Sequence, residues 1–376
     1  MKKDWEIKKL GEVLSIKRGG SPRPISKYLT NSPDGLNWIK IADATASDKY
    51  IYKTKEKITH DGLYKTRLVN IGDFILSNSM SFGKPYIMKT TGCIHDGWLV
   101  LKQNEIKIFD IEFLYYLLSS PYIFNQFNSL AAGSTVRNLN IALVSSVHVP
   151  IPPLPEQKRI VDILDRTFAN IDKAKANAQQ NLKNAKELFD SYLQKVFENK
   201  GDNWEEKEWN DLIEIRSGKN QKEVLNPNGK YPILGSAGKI MGYADDFLCE
   251  ERTTIIGRKG TIDKPLYIKS KFWNVDTAFG LISGNTINPE FLFYFCKNFD
   301  FKELDKGTTL PSLVKKDLIK IVMPYPRTIK EQKKIVNKLN NFSSKTKKLE
   351  SIYQQKIEDL EELKKSILQK AFAGEL

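Results

Sequence analysis

The sequence predicts an α+β protein with two β-rich mixed domains, pseudo-twofold related and separated by two long helices that pair as an antiparallel coiled coil. Three observations predict this fold. The chain repeats itself, each repeat ends in a long stretch without glycine, and short strand-like segments and turns precede that stretch. The predicted boundaries are 1–155 for the first domain, 156–199 for the central helix, 200–329 for the second domain and 330–376 for the C-terminal helix.

The repeat is clearest at the two ends of the long helices. PEQKRIVDIL (155–164) returns as KEQKKIVNKL (330–339), and ELFDSYLQKVF (187–197) returns as ELKKSILQKAF (362–372), both at an offset of 175 residues. Four upstream segments also recur: WEIKKLGEVLSIKRGG (5–20) as WEEKEWNDLIEIRSGK (204–219), DIEFLYYLL (110–118) as NPEFLFYFC (288–296), GSTVRNL (133–139) as GTTLPSL (307–313), and VPIP (149–152) as MPYP (323–326). The domain interiors differ more than the helices do. This pattern suits two readers of different targets on one common frame.

The long helices carry apolar residues at coiled-coil spacing. Residues 156–199 contain neither proline nor glycine, and 44 residues correspond to about 66 Å of helix. An alternative is that each helix packs on its own domain, but about 66 Å exceeds the width of a 150-residue domain. The residues expected to pair the helices are Leu164, Ile171, Leu182, Phe189, Leu339, Leu349, Leu360 and Ile367.

The composition favours a cytoplasmic protein that binds a polyanion. The net charge is +14, and residues 1–155 alone carry +7, from 20 basic and 13 acidic residues. Three widely spaced cysteines do not form a disulfide framework, and no apolar run is long enough to cross a membrane. Cys93 and His95 could belong to a metal site, but with only three histidines and three cysteines in the chain no second ligand pair appears, so no metal site is expected.

Glycine-containing loops with hydrogen-bond donors are the candidate contacts to double-stranded DNA. Donors such as Arg, Lys, Asn and Ser read base edges, and basic groups bind phosphates. The candidates are Lys17, Arg18, Arg23, Lys27, Asn78, Ser79, Lys84 and Arg137 in the first domain, and Lys219, Asn220, Ser236, Lys239, Arg258, Lys259 and Thr308 in the second. Each loop alone is also compatible with an ordinary solvated turn, but loops at corresponding places in both halves favour function.

No pattern in the sequence predicts an active site. No G-x-G-x-x-G follows a strand-like segment, and no G-x-x-x-x-G-K-[ST] occurs. NPEF (288–291) only partly matches an amino-methyltransferase motif, and Asn288 and Pro289 are better interpreted as the cap and first residue of a helix. The expectation is a binding protein without catalytic residues.

These segments resemble the specificity subunit of type I restriction–modification systems. The resemblance rests on the duplicated P-x-x-E-Q-x-x-I-V and L-Q-K-x-F segments and covers essentially the whole chain, with Lys330 where the first copy has Pro155. It implies a non-catalytic subunit that reads bipartite double-stranded DNA, one domain per half-site, with the helices setting the spacer. It also implies two methyltransferase subunits as partners, together with motor-nuclease subunits, and it places S-adenosylmethionine, ATP and magnesium on those partners.

Two other interpretations remain open from sequence. One is a solitary DNA modification enzyme with a disguised active site, against which the missing cofactor loop counts. The other is a coiled-coil scaffold or accessory binding protein whose domains bind carbohydrate or protein instead of DNA.

Overall fold

The computed structural model describes residues 4–78, 82–103, 107–131 and 138–376. The chain divides into two compact units, of which the first comprises Met1–Asn177 and Lys356–Leu376, and the second Ala178–Gln355. Each unit therefore contains one β-rich part together with a portion of both long helices.

In the described part of the first unit, the strands form two five-stranded mixed sheets and one two-stranded ladder. The strands are β1 (Glu6–Lys9), β2 (Leu14–Arg18), β3 (Leu29–Thr30), β4 (Leu36–Ile39), β5 (Tyr50–Ile51), β6 (Glu56–Ile58), β7 (Arg67–Val69), β8 (Phe74–Ser77), β9 (Pro85–Met88), β10 (Gly92–Ile94), β11 (Trp98–Gln103) and β12 (His148–Ile151). Their orders are β2-β11-β8-β9-β5, β3-β6-β4-β10-β7 and β1-β12.

Short helices pack against strands of these sheets. The helices are α1 (Leu10–Val13), α2 (Ile41–Thr45), α3 (Ile111–Leu118), α4 (Pro121–Leu130) and α5 (Ile141–Ser146), with 3-10 turns at Ile25–Lys27 and His60–Lys65. The first long helix, α6 (Leu154–Glu198), begins in this unit. Asp110 caps α3 because its carboxylate accepts the N–H groups of Glu112 and Phe113, at 2.9 and 3.1 Å.

The second unit repeats this topology with fewer strands in its described residues. The strands are β13 (Trp204–Glu208), β14 (Ile213–Ser217), β15 (Tyr231–Leu234), β16 (Ile240–Ala244), β17 (Thr253–Gly257), β18 (Leu266–Ile268), β19 (Trp273–Asn274), β20 (Ala278–Ser283) and β21 (Val322–Pro326), and the helices are α7 (Trp209–Leu212), α8 (Pro289–Asn298), α9 (Lys315–Leu318) and the second long helix α10 (Ile329–Ala373), with a 3-10 turn at Phe301–Leu304. The order β14-β20-β17-β18 corresponds to β2-β11-β8-β9, and β13-β21 corresponds to β1-β12. The predicted α+β class and the duplication are confirmed.

The two long helices pair antiparallel. In the first unit, Lys175 on α6 pairs with Glu361 on α10 at 2.7 Å, and Asp172 pairs with Lys364 at 2.9 Å, so residue numbers rise on one helix as they fall on the other. In the second unit, the Tyr192 ring lies 4.5 Å from the ring of Phe342, on the other portions of the same two helices. The polar residue Lys175 is therefore accommodated between the helices by its ion pair with Glu361.

The residues expected to pair the helices differ in burial. Leu164, Ile171, Phe189 and Leu339 are buried, while Leu182, Leu360 and Ile367 are half-buried. Leu349 is 40 % exposed and contributes less to the seam than expected. The reason is that Thr346 is the buried residue at this level of α10, with its hydroxyl donating to the carbonyls of Phe342 and Ser343. Leu349 therefore lies at the edge of the seam.

The last turns of both long helices pack on aromatic residues of the short helices. In the first unit, Phe372 near the end of α10 is fully buried, with its ring 5.4 Å from that of Phe113 on α3. In the second unit, Phe197 near the end of α6 lies 5.4 Å from Phe291 on α8. The repeated L-Q-K-x-F segment is therefore an aromatic anchor that ends each helix.

A buried glutamine near the start of each long helix explains the repeated E-Q pair. The Gln157 Oε1 accepts the N–H of Asp110 at 2.8 Å, and its Nε2 donates to the carbonyls of Ile108 and Pro152, at 3.0 and 2.8 Å. We call this the glutamine clamp. It joins the cap of α3, the end of β12 and the first turn of α6.

The second unit contains the same clamp. The Gln332 Oε1 accepts the N–H of Asn288 at 2.7 Å, and its Nε2 donates to the carbonyls of Thr286 and Pro326, both at 2.9 Å. Both glutamines are fully buried. Asn288 also caps α8 through its side chain, as the sequence predicted, so it has a structural role.

Replacing Gln157 with methionine keeps the side-chain volume and removes the clamp. Three backbone groups then lose their partner, and each buried group left unsatisfied costs about 1–3 kcal/mol. We expect Gln157→Met to lower the urea midpoint of the full chain clearly, and Gln332→Met to do the same. The matched control is Gln180→Met, because Gln180 is exposed and bonds only along its own helix, to Asn184. The control should stay within about 0.5 kcal/mol of wild type. Equal midpoints for Gln157→Met and Gln180→Met would show that the clamp contributes nothing.

Candidate nucleic-acid interface

In each unit, one end of the main sheet brings some of the predicted DNA-contacting residues together, among them Arg18, Arg23 and Asn78 in the first unit and Lys219, Asn220 and Arg258 in the second. In the first unit, this end consists of the residues that follow β2 and β8 and the turn that precedes β11. The corresponding places in the second unit follow β14 and β17 and precede β20. We call this region the strand-end junction, which spans 18–23, 78, 94–98 and 139 in the first unit and 217–222, 258, 274–278 and 313 in the second.

The same backbone hydrogen bonds build both junctions. Gly19 N–H donates to the carbonyl of Trp98 at 2.9 Å, as Gly218 N–H donates to that of Ala278 at 3.1 Å. Four further N–H to carbonyl hydrogen bonds recur. In the first unit they run from Gly20 to Ile94, Trp98 to His95, Asn78 to Gly97 and Leu139 to Asn78. Their counterparts in the second unit run, in the same order, from Lys219 to Asn274, Ala278 to Val275, Arg258 to Thr277 and Leu313 to Arg258. The two halves therefore share a backbone frame on which the side chains differ.

Glycine is required at one position of this frame. A Cβ atom at Gly19 would lie 2.1 Å from the carbonyl oxygen of His95, and one at Gly218 would lie 1.8 Å from that of Val275. Neither contact is sterically possible, so the chain leaves β2 and β14 by the same close approach of two backbones.

Asp96 is the centre of the junction in the first unit. Its carbonyl oxygen accepts from Arg18 Nε and from Asn78 Nδ2, both at 2.9 Å. Its carboxylate accepts from the Ser21 hydroxyl at 2.8 Å and forms an ion pair with Arg23 at 3.5 Å. The hydrogen bond from Ser21 is the main cause that lowers the pKa of Asp96 below its usual range. Asp96 is therefore ionised at neutral pH.

In the second unit, the equivalent aspartate is Asp276, and its surroundings differ. Asp276 is exposed, and its carbonyl oxygen accepts from Arg258 Nη1 at 3.4 Å. Asn220, at the position of Ser21, accepts the N–H of Lys222 instead of binding the aspartate. Arg258 therefore holds this turn by donating to the aspartate carbonyl, as Asn78 does in the first unit. Its guanidinium also lies 5.8 Å from the Phe279 ring.

The turn at 305–312 is held against the basic turn that follows β17. The Asp305 carboxylate accepts the N–H groups of Gly307 and Ser312, at 2.8 and 2.7 Å, and these bonds lower the pKa of Asp305. Gly260 N–H donates to the carbonyl of Pro311 at 2.9 Å. The exposed residues at the tip of this turn, including Thr308, are therefore held on a rigid base.

The structure places most of the predicted DNA-contacting residues on the surface. The exposed ones are Lys17, Arg18, Arg23, Lys27 and Lys84 in the first unit, and Lys219, Asn220, Lys239, Lys259 and Thr308 in the second. Ser236 and Arg258 are half-buried. Ser79 and Arg137 lie outside the described residues. The contacts of all these residues to DNA stay predictions.

The structure corrects the prediction for Asn78. Its side chain is 2 % exposed, and its amide donates to the carbonyl of Asp96. Its backbone is bonded as well, to Gly97 and Leu139. Asn78 is therefore a structural residue that holds the turn before β11, and it is not available to contact a base.

Sequence reasoning missed both aspartates of the junction. A signal was present, since HDGW (95–98) and VDTA (275–278) place Asp96 and Asp276 at the same point of the repeat, just before a strand. Three exposed apolar residues next to the basic loops were also missed, and their sequence gave no signal. They are Ile240, Met241 and Leu310, which are 53, 51 and 65 % exposed.

Cys93 lies in β10, before the turn that precedes β11, and His95 lies within that turn. Cys93 is buried and burial raises the pKa of its thiol, while burial lowers the pKa of His95. The Gly97 N–H donates to His95 Nδ1 at 2.9 Å, so this nitrogen is an acceptor within the turn. Across residues 4–78, 82–103, 107–131 and 138–376, no group of three or more possible metal ligands occurs.

The helices in the described part of the chain include none that is long and apolar enough to cross a membrane.

The fold and the junctions define a duplicated recognition protein, in which one backbone frame carries two different sets of surface side chains. The sequence matches the family described as "Type I restriction modification DNA specificity domain" twice, over residues 2–184 and 201–359. The chain belongs to this family, and its role is DNA sequence specificity.

Similar proteins agree with this assignment. The Type I restriction enzyme MjaIX specificity subunit of Methanocaldococcus jannaschii is 25 % identical over 372 residues, which cover 86 % of this chain and 84 % of that protein. The MjaVIII specificity subunit of the same organism is 25 % identical over 99 % of this chain and 93 % of its own length.

Solved structures share the fold. A chain from a study of complex assembly and conformational transition in the type I R-M system matches with a TM-score of 0.85 at 19 % identity, covering 100 % of this chain and 99 % of that one. The HsdS subunit of Thermoanaerobacter tengcongensis matches with a TM-score of 0.66 at 20 % identity, covering 100 % of this chain and 98 % of its own.

Proposed function

We propose that this chain reads a bipartite sequence in double-stranded DNA, with one half-site read by the β-rich part of each unit, which we call a module. The two long helices set the spacer between the half-sites. The observation that carries the proposal is the repeated strand-end junction. A shared frame with different side chains suits two readers that approach DNA in the same way and recognise different bases. The basic residues at both junctions are suited to the flanking phosphates.

We further propose that the chain acts without catalysing a reaction, in the cytoplasm, as the specificity subunit of a type I restriction–modification complex. The names of the similar M. jannaschii proteins support this, since both are specificity subunits of restriction enzymes. The partners would be two methyltransferase subunits and, in the full complex, motor-nuclease subunits. S-adenosylmethionine, ATP and magnesium would be bound by those partners.

Repeated features of the helices support two equivalent docking surfaces for the methyltransferase subunits. The glutamine clamp and the aromatic anchor occur once in each unit, and two exposed basic residues follow the clamp glutamine in both helices, Lys158 and Arg159 in α6 and Lys333 and Lys334 in α10. The alternative of a scaffold that does not bind DNA is not favoured by the family membership.

The proposal is tested by a genome-wide map of methylated adenines in cells that co-express this chain with its methyltransferase partner. We expect a motif of two specified parts around a gap of constant length, and we expect it to disappear when this chain is omitted. Omitting only the nuclease subunits is the control and should leave the motif in place. A continuous motif, or methylation that persists without this chain, would contradict the proposal.

Shortening the paired helices should change the spacer alone. The pairing register places 172–178 on α6 opposite 358–364 on α10, so deleting both segments removes one heptad and keeps the seam in phase. Seven residues span about 10 Å of helix, and base pairs are about 3.4 Å apart, so we expect a gap shorter by about three base pairs.

The same methylation map measures this effect. Deleting only 172–178 is the matched control, because it puts the seams of the two helices out of register and should reduce methylation altogether. Changed half-sites with an unchanged gap would show that the helices do not set the spacer.

A further inference from the structure

We propose that Asp96 is a positioning residue that sets the selectivity of the first module, an inference that rests on the proposed DNA-reading function. It holds the cationic segment Arg18–Arg23 in one geometry, and its negative charge lowers the affinity for any duplex, so that binding depends on a match to that geometry. The inference concerns a residue that itself need not contact a base.

Asp96 joins two separate segments to the turn before β11: its carbonyl oxygen holds Arg18 and Asn78, and its carboxylate holds Ser21 and Arg23. Asn78 is itself buried and bonded through its backbone. The turn is therefore a fixed support, and the side chains that it holds are pre-arranged before DNA arrives.

The charges of Arg23 and Asp96 also affect DNA binding. The side chain of Arg23 is 82 % exposed and that of Asp96 is 45 % exposed, so both face solvent on the surface that carries the predicted DNA contacts. A carboxylate at this place repels phosphates, and it also partly neutralises the guanidinium that would attract them. Its presence lowers the affinity for any duplex, while the geometry that it imposes favours the matching one.

The second unit supplies a natural comparison. Asp276 occupies the same position on the shared frame, but it is exposed, and Asn220 at the position of Ser21 bonds within its own segment. The carboxylate of Asp96 therefore makes side-chain contacts that the frame does not require. These contacts are to Ser21 and Arg23, in the segment that follows β2.

The test uses Asp96→Asn in the full-length chain assembled with its methyltransferase subunits. Asparagine keeps the shape, the backbone carbonyl and one acceptor for Ser21, and it removes the charge. The probes are a duplex with the mapped two-part site, a duplex in which only the first half-site is scrambled, and a duplex in which only the second half-site is scrambled. Affinities are measured between 50 and 200 mM salt.

We expect Asp96→Asn to bind the duplex with the scrambled first half-site several-fold more tightly than wild type does. The ratio of the affinities for the matched duplex and for that duplex should fall about tenfold, which is the discrimination that one base contact supplies. The slope of log affinity against log salt should steepen by about 0.9, the contribution of one additional cation on phosphate. Discrimination at the second half-site should not change.

Two further variants separate the roles of Asp96. Ser21→Ala removes only the hydrogen bond, so it should reduce discrimination at the first half-site without raising affinity for the scrambled duplex. Asp276→Asn should leave discrimination at the first half-site unchanged. If Asp96→Asn does not fold, as judged by circular dichroism, Ser21→Ala decides, and unchanged discrimination in it would overturn the proposal.

The contrary results are distinct. Equal losses of affinity for matched and scrambled duplexes in Asp96→Asn would show a purely structural role and overturn the proposal. Affinities equal to those of wild type for every duplex would overturn it as well. If wild type does not discriminate between the duplexes at all, the proposed DNA-reading function itself fails.

Discussion

The glutamine clamp is the interaction on which the rest of each unit depends. A single buried amide uses its acceptor and both donors on three backbone groups that would otherwise be left unsatisfied beneath the first turn of a long helix. It sets where the helix begins relative to the capped helix and to the last strand of the β-rich part. The chain repeats the glutamine because it repeats this three-way joint, with Gln157 in the first unit and Gln332 in the second.

Other features of the two units are shared as well, while some side chains and strands differ. The helix ends repeat the same aromatic anchor, and the strand-end junctions repeat the same backbone hydrogen bonds. The two halves differ in the number of strands and in the side chains on this frame. The position after the β8 or β17 strand is Asn78 in one and Arg258 in the other, and both donate to the carbonyl of an aspartate. A protein built in this way can alter what it recognises without altering how its modules are held.

The sequence was most informative where the physical constraint is local or periodic. The long helices, their antiparallel seam and the duplicated α+β modules follow from apolar spacing and from the repeat, and the structure confirms them. Asn78 was mistaken for a surface donor because its burial depends on the turn before β11, which is far away in sequence. Leu349 was overestimated because heptad spacing alone does not show how wide the seam is. Asp96 was missed because its partners, including Ser21, come together only in the folded sheet.

If the strand-end junctions carry specificity on a frame common to both halves, exchanging one β-rich part for the other should exchange its half-site. The most direct measurement is the methylation map of a chain in which residues 6–151 replace residues 205–325. These limits keep both long helices and the Pro326 carbonyl that Gln332 holds, and the graft supplies the backbone groups of Ile108 and Asp110 in place of those of Thr286 and Asn288. We predict two identical half-sites, both of the first type, with the gap preserved. Retention of the original second half-site would contradict the claim, because specificity would then lie outside the exchanged module.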